Sequence, residues 1–276
     1  MRIHTLIYRT ALALVSEAMA VLAAGCEKEL DFKYHDIEAL TVIEGTLTES
    51  GADVTIRLTA PMDEPMDRTC LTDAQVTLSD LHTGESTVLT ADDRGHYRSG
   101  AAGVPGHEYL LTVSRDGKEY TSASLMRRAP KIEGLEFKWI SMPYDDVAAL
   151  QVAFADSDPM AYGDCYWIRI YRNGEFYKWS TVQDDRAIDG VLYESVNTTR
   201  KDESAEDEDD LLVDGDEVRV TVAQVSKAFY DYLNAMSSDS NGPRMFQGDM
   251  CLGYFLAAGV SESAIVFHPD RMDHNE

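Results

Sequence analysis

Between residues 40 and 125 the hydrophobic positions recur at every second residue in short runs, broken by turn-forming residues. Val54, Ile56 and Leu58 alternate with polar neighbours, as do Val76 and Leu78, and Tyr109, Leu111 and Val113. Successive side chains of a strand point to opposite faces, so a period of two marks strands with one buried face. Residues 41–47 and 87–90 read as two further strands. The turns between them are Asp80-Leu81-His82-Thr83-Gly84, Asp92-Asp93-Arg94-Gly95 and Asp116-Gly117, the last a tight hairpin signal. This spacing of strands and turns predicts a β-sandwich over residues 40–128.

Ala129-Pro130 marks a break, and a second β domain is expected over residues 131–268. Leu135, Phe137 and Trp139 alternate, and residues 147–155 form a largely apolar run closed by Asp156-Ser157-Asp158-Pro159. Two aromatic-rich runs, 166–172 and 175–179, flank Asn173-Gly174, the signature of a type I′ hairpin. A two-residue loop pairs Ile170 with Tyr177 and Ile168 with Trp179 on the core face. It pairs Arg169 with Lys178 and Tyr171 with Phe176 on the other. Val218, Val220 and Val222 alternate as a strand. A helix near 225–236 follows, capped by Ser226, with Val225, Phe229, Tyr232, Leu233 and Met236 as its apolar stripe. Residues 252–258 and 264–267 read as closing strands around Gly259. The fold class is therefore all-β: an Ig-like or transthyretin-like sandwich, then a second antiparallel β domain with one short helix.

The first 25 residues have the parts of an export signal. Arg2 and Arg9 begin it, an apolar stretch follows, and small residues lead to Gly25-Cys26. The stretch is too short to span a bilayer permanently. Leu22-Ala23-Ala24-Gly25-Cys26 resembles a bacterial lipobox, in which the thiol, here Cys26, carries the lipid. Two or three acyl chains anchor a protein stably where one is marginal. Residues 26–39 form a tether.

Charge limits the partners. The chain carries a formal −25. Residues 1–25 hold Arg2 and Arg9 against Glu17, a net +1, so the remainder sits at −26. Such a surface repels nucleic acid. Between Lys201 and Asp210, seven of ten residues are acidic, which reads as a solvated loop over 200–210. With Cys26 lipidated, Cys70, Cys165 and Cys251 remain, an odd number compatible with one disulfide or with three free thiols.

Catalytic chemistry needs an activated nucleophile, paired carboxylates or a metal. No such motif occurs, no cofactor is indicated and the chain is read as non-enzymatic. The histidines are not at ligand spacing; His82, His96 and His107 share the first domain and read as loop residues. Asp156 and Asp158, and the run from Glu206 to Asp210, are oxygen-rich enough to consider calcium but lack the spaced ligands of a calcium loop. Trp139, Trp167 and Trp179 are candidates for stacking on a ligand, although aromatics at strand spacing more often pack cores.

Two resemblances are carried by particular residues. The phrases Ala74-Gln75-Val76-Thr77-Leu78, Gly95-His96-Tyr97, 105–113 and Gly117-Lys118-Glu119-Tyr120 resemble a transthyretin-like or carboxypeptidase-regulatory-like sandwich, a module that packages or binds. Residues 220–233 and Leu252-Gly253-Tyr254-Phe255 resemble the Bacteroidota outer-membrane lipoprotein family catalogued as domain of unknown function 4249. The resemblance implies an outer-membrane, lipid-anchored protein facing the periplasm or the cell surface. It also implies a TonB-dependent outer-membrane transporter as partner, and it brings no catalytic residues. The alternative is a surface adhesin or assembly component built from tandem sandwiches.

Overall fold

The computed structural model describes residues 39–60, 69–143, 146–155, 163–183, 191–200, 211–238 and 240–274. Cys26, Asp156, Asp158 and the acidic stretch 201–210 lie outside the described residues. No helix among the described residues is long and apolar enough to cross a membrane.

Seven strands come first: β1 (Thr41–Thr48), β2 (Gly51–Leu58), β3 (Gln75–Asp80), β4 (Ser86–Ala91), β5 (His96–Ser99), β6 (Glu108–Arg115) and β7 (Lys118–Leu125). Five more follow: β8 (Ile132–Ser141), β9 (Asp146–Ala155), β10 (Cys165–Arg172), β11 (Glu175–Gln183) and β12 (Val191–Arg200). After β13 (Glu217–Val225) comes helix α1 (Lys227–Ser237), then β14 (Gln247–Gly248), β15 (Cys251–Ala257), β16 (Val260–Val266) and β17 (Asp273–His274).

The first sheet runs β14-β7-β6-β3-β4-β5-β2-β1-β15. Its two ends approach each other: Ala257 N–H donates to Ser124 Oγ at 2.9 Å, and Arg127 bridges to Ala258. The inward residues predicted by alternation fill the space between. Ile43, Val54, Ile56, Val76, Leu111, Val113 and Phe255 are buried together, each worth about 1.5–3 kcal/mol relative to exposure. Buried tyrosines need partners for their hydroxyls. Tyr120 shares a hydrogen bond with Thr41 Oγ1 at 3.0 Å, and Tyr97 accepts from Ala74 N–H at 2.9 Å.

Two four-stranded sheets, β11-β10-β13-β16 and β12-β9-β8-β17, enclose a second core. Val218, Val220 and Val222 face it from β13, opposite Leu150, Val152 and Phe154 of β9. A third cluster lies on the other face of β10 and β13, where Trp167 and Val225 meet Phe229 and Leu233 of α1 and Leu256 of β15.

The structure corrects three readings. The strand expected to close the second domain, at 252–258, instead pairs in parallel with β1, residue Gly253 opposite Ile43. The Asn173-Gly174 turn has both φ angles positive, 50° and 89°, as type I′ requires. Tyr171 does face Phe176, but a bulge at Tyr177 then shifts the register by one. Ile170 faces Lys178, Arg169 faces Trp179 and Ile168 faces Ser180. The bulge lets Tyr177 pack on the second core while Trp179 turns to the third cluster. An extra residue in one strand is how sheets re-aim side chains. Helix α1 begins where expected, with Ser226 Oγ accepting Phe229 N–H at 3.1 Å. Met236, however, is 53% exposed, because Ala235 takes the buried position.

Candidate binding cleft

The chain passes from β7 to β8 through Met126-Arg127-Arg128-Ala129-Pro130-Lys131, and backbone hydrogen bonds hold this passage on three sides. Met126 N–H donates to His107 C=O at 2.9 Å, Gly259 N–H donates to Arg127 C=O at 2.8 Å, and Ala155 N–H donates to Lys131 C=O at 2.7 Å. The approach at Gly259 is close enough to require glycine: a Cβ there would lie 2.5 Å from Ala129 N and 2.9 Å from Arg127 O. Pro130 is buried, and its ring biases Ala129 toward extended backbone.

Beside this passage is a cleft of about 410 Å³. Pro105, Leu125, Met126, Pro130 and Ala155 provide apolar walls; Arg127, Arg128, Lys131 and Gln224 provide the polar groups. Small-molecule sites have this volume and this mixture of apolar wall and a few polar groups. Lys131 pairs with Glu133 at 2.9 Å. Arg127 and Arg128 form no ion pair among the described residues, although the chain carries net charge −25.

Gln224 stands out in the alternation of β13. Val218, Val220 and Val222 point into the second core, and Gln224 is the next inward position. It is 6% exposed, and its side chain makes no hydrogen bond with the protein. Its amide is not among the buried polar atoms that lack a partner, so the amide opens into the cleft, where it can donate and accept.

Of the residues singled out from sequence, Cys26, Asp156 and Asp158 lie outside the described residues, and Trp139, Trp167, Trp179 and the three first-domain histidines are not among the described residues that line the cleft. Trp139 is buried in the second core and donates from Nε1 to Pro269 C=O at 3.3 Å. Trp167 is buried in the third cluster, with the Arg169 guanidinium 4.5 Å from its ring centre. Trp179 is half-buried against the same cluster. His82 and His107 stack at 4.3 Å, with His107 Nδ1 2.8 Å from Asp80. Burial would raise the Asp80 pKa, but hydrogen bonds from His107 and from the N–H groups of His82 and Thr83 hold it at about 2. His96 pairs instead with Asp53 at 2.8 Å, so the three histidines do not converge. Among the described residues, no group of three His, Cys, Asp or Glu side chains is arranged to hold a metal. Cys70, Cys165 and Cys251 are free thiols. Burial pushes Cys165 and Cys251 up to about 11, which keeps both protonated near neutrality.

Trp167 Nε1 and Thr221 Oγ1 are buried without hydrogen-bond partners. Thr221→Val removes an unpaired hydroxyl and keeps the shape. It is expected to stabilise the protein by about 1–2 kcal/mol, raising the melting temperature by roughly 2–8 °C. A thermal melt that drops instead would mean the hydroxyl is satisfied by a trapped water.

The model of the family described as "Domain of unknown function (DUF4249)" matches residues 27–264. The chain belongs to this family. The match takes in β1 to β15, α1 and most of β16, and so spans the cleft. No curated protein matches this DUF4249 chain. Among solved structures, the two fibronectin type-III domain segment from chicken tenascin is similar. It is 16% identical, with 68% of this chain and 92% of that chain covered, at a TM-score of 0.22.

Sequence reasoning did not find the cleft. Its one visible signal is the amide of Gln224 where the Val218-Val220-Val222 pattern calls for a fourth apolar side chain.

Proposed function

We propose that this DUF4249 protein is a non-enzymatic binding protein, held at the outer membrane by lipid on Cys26, that serves a TonB-dependent transporter. The observation that carries the binding role is the cleft. It sets Arg127 and Arg128, on a hydrogen-bonded passage, beside the amide of Gln224, and among the described residues no group of His, Cys, Asp or Glu side chains is arranged there to hold a metal. Such a constellation recognises and does not transform. The lipobox-like end, Leu22 to Cys26, supports the anchor, and the charge of −25 suits a tethered protein that must stay dispersed.

Metabolic labelling with a palmitate analogue is expected to mark the wild-type protein and to be lost in Cys26→Ala. Affinity purification from detergent-solubilised membranes is then expected to recover a transporter barrel. Absence of label in both proteins overturns the anchor, and repeated recovery without a barrel overturns the transporter role.

A further inference from the structure

We infer that the cleft between the β7–β8 passage and the end of β13 is a binding site for an organic anion, a carboxylate or phosphate group on a partly apolar body. The inference deepens the binding role proposed above and rests on it.

Charge is the first reason. Guanidinium groups match the planar oxygens of carboxylates and phosphates and bind them with two parallel hydrogen bonds. In a chain with 49 acidic and 24 basic residues, arginines are readily paired. Arg57 pairs with Glu44, Arg98 with Asp53 and Asp92, Arg115 with Asp73, Arg172 with Asp216, and Arg219 with Glu262. Arg94, Arg127, Arg128, Arg169, Arg244 and Arg271 have no carboxylate partner among the described residues, and of these Arg127 and Arg128 are adjacent in sequence and line the cleft together.

Burial is the second reason and is independent of the first. Gln224 spends an inward position of β13 on an amide that makes no side-chain hydrogen bond among the described residues and opens into the cleft. The amide NH₂ donates and its oxygen accepts, so it can complete the coordination of an anionic head group that the arginines hold. The apolar walls, Leu125, Met126, Pro130 and Ala155, then face the body of the ligand. The passage is already fixed by the bonds from Gly259 and Ala155, so the groups are positioned before the ligand arrives and less ordering entropy is lost on binding.

Isothermal titration of the full chain with hexanoate, hexyl phosphate and uncharged hexanamide tests the site. Saturable binding of hexanoate or hexyl phosphate is expected, with hexanamide at least tenfold weaker. Preference between the two anions identifies which head group the site takes. The double variant Arg127→Ala/Arg128→Ala is expected to weaken the better anion at least tenfold, as loss of charge-assisted hydrogen bonds implies. Gln224→Leu gives a readout that does not depend on the arginine variant folding. It is expected to weaken binding several-fold. Absence of saturable binding of either anion, equal binding of hexanamide, or unchanged affinity in the variants overturns the proposal. Those outcomes leave the membrane pull-down untouched, so failure of this site is distinguishable from failure of the transporter role.

Discussion

Gly253→Ala is expected to destabilise the protein by about 4 kcal/mol or more, in the exceptional range for a single substitution. Gly253 has φ = +100°, a conformation that side chains rarely adopt. The space is also closed. A Cβ would lie 1.9 Å from Ile43 O, 2.7 Å from Ile43 C and 2.9 Å from Ile43 N. These are backbone atoms of the paired strand, so no rotamer change relieves the contact. Relief requires β15 to move off β1. That movement would withdraw Phe255 from the first core and Leu256 from the third cluster, since both ride on β15. The loss is a large share of the 5–15 kcal/mol by which folded proteins are typically stable. Urea denaturation followed by near-ultraviolet circular dichroism measures it. Gly84→Ala is the control, because Gly84 also has a positive φ, 78°, but nothing within 4 Å of a Cβ. It is expected to cost only about 1 kcal/mol. Equal effects at the two positions would mean that the Ile43 contact is not what restrains β15.

The second large effect is expected at Asp216, whose carboxylate is 6% exposed. It accepts from Arg172 Nε and Asn173 Nδ2, both at 2.7 Å, and from Val213 N–H at 2.8 Å. These bonds lock the β10–β11 turn onto β13, where Glu217 N–H also donates to Asn173 Oδ1 at 3.0 Å. Asp216→Ala takes the buried carboxylate away from the Arg172 guanidinium, which is 22% exposed, and frees the turn. Removing one member of a buried pair costs about 3–5 kcal/mol, and the partial exposure of Arg172 places the expected loss near the lower end. The dependence on pH separates charge from packing. Burial raises the Asp216 pKa, but the hydrogen bonds from Val213 and Asn173 and the Arg172 guanidinium outweigh it and hold the value below the usual carboxylate range. A depressed pKa contributes stability that is present above the unfolded value, about 3.9, and is lost as pH falls through the folded value. The stability difference between wild type and Asp216→Ala is therefore large at neutral pH and shrinks below about pH 4. A difference that stays constant down to acid pH would assign the effect to packing.

The local features follow directly from local chemistry. Asn173-Gly174 makes a type I′ turn because both residues tolerate positive φ, and the observed angles are 50° and 89°. Ser226 starts α1 because its hydroxyl meets an N–H that the helix leaves unpaired. Alternation identified the buried faces of β2, β3, β6 and β13, since a strand with one dry face must place apolar residues at every second position, except that Leu58 at the end of β2 is 39% exposed. Residues 191–200 carry Glu194, Asn197, Thr198 and Thr199 in place of clean alternation, and the strand β12 was not legible there.

What the sequence by itself determined is therefore the class of fold, the faces of its strands, and the turns and cap that depend on a few adjacent residues. Beyond the hairpins at Asp116-Gly117 and Asn173-Gly174, tertiary structure alone decided which strands pair. Backbone hydrogen bonds are alike in every strand, so alternation shows which face is dry and not which neighbour lies alongside. The parallel pairing of β15 with β1, some two hundred residues apart, was selected by the fit of Phe255 into the first core and by the absence of a Cβ at Gly253. The same limit hid the cleft. Arg127, Arg128 and Gln224 are nearly a hundred residues apart, and they line one wall because the bonds to Gly259 and Ala155 fold the β7–β8 passage against the end of β13.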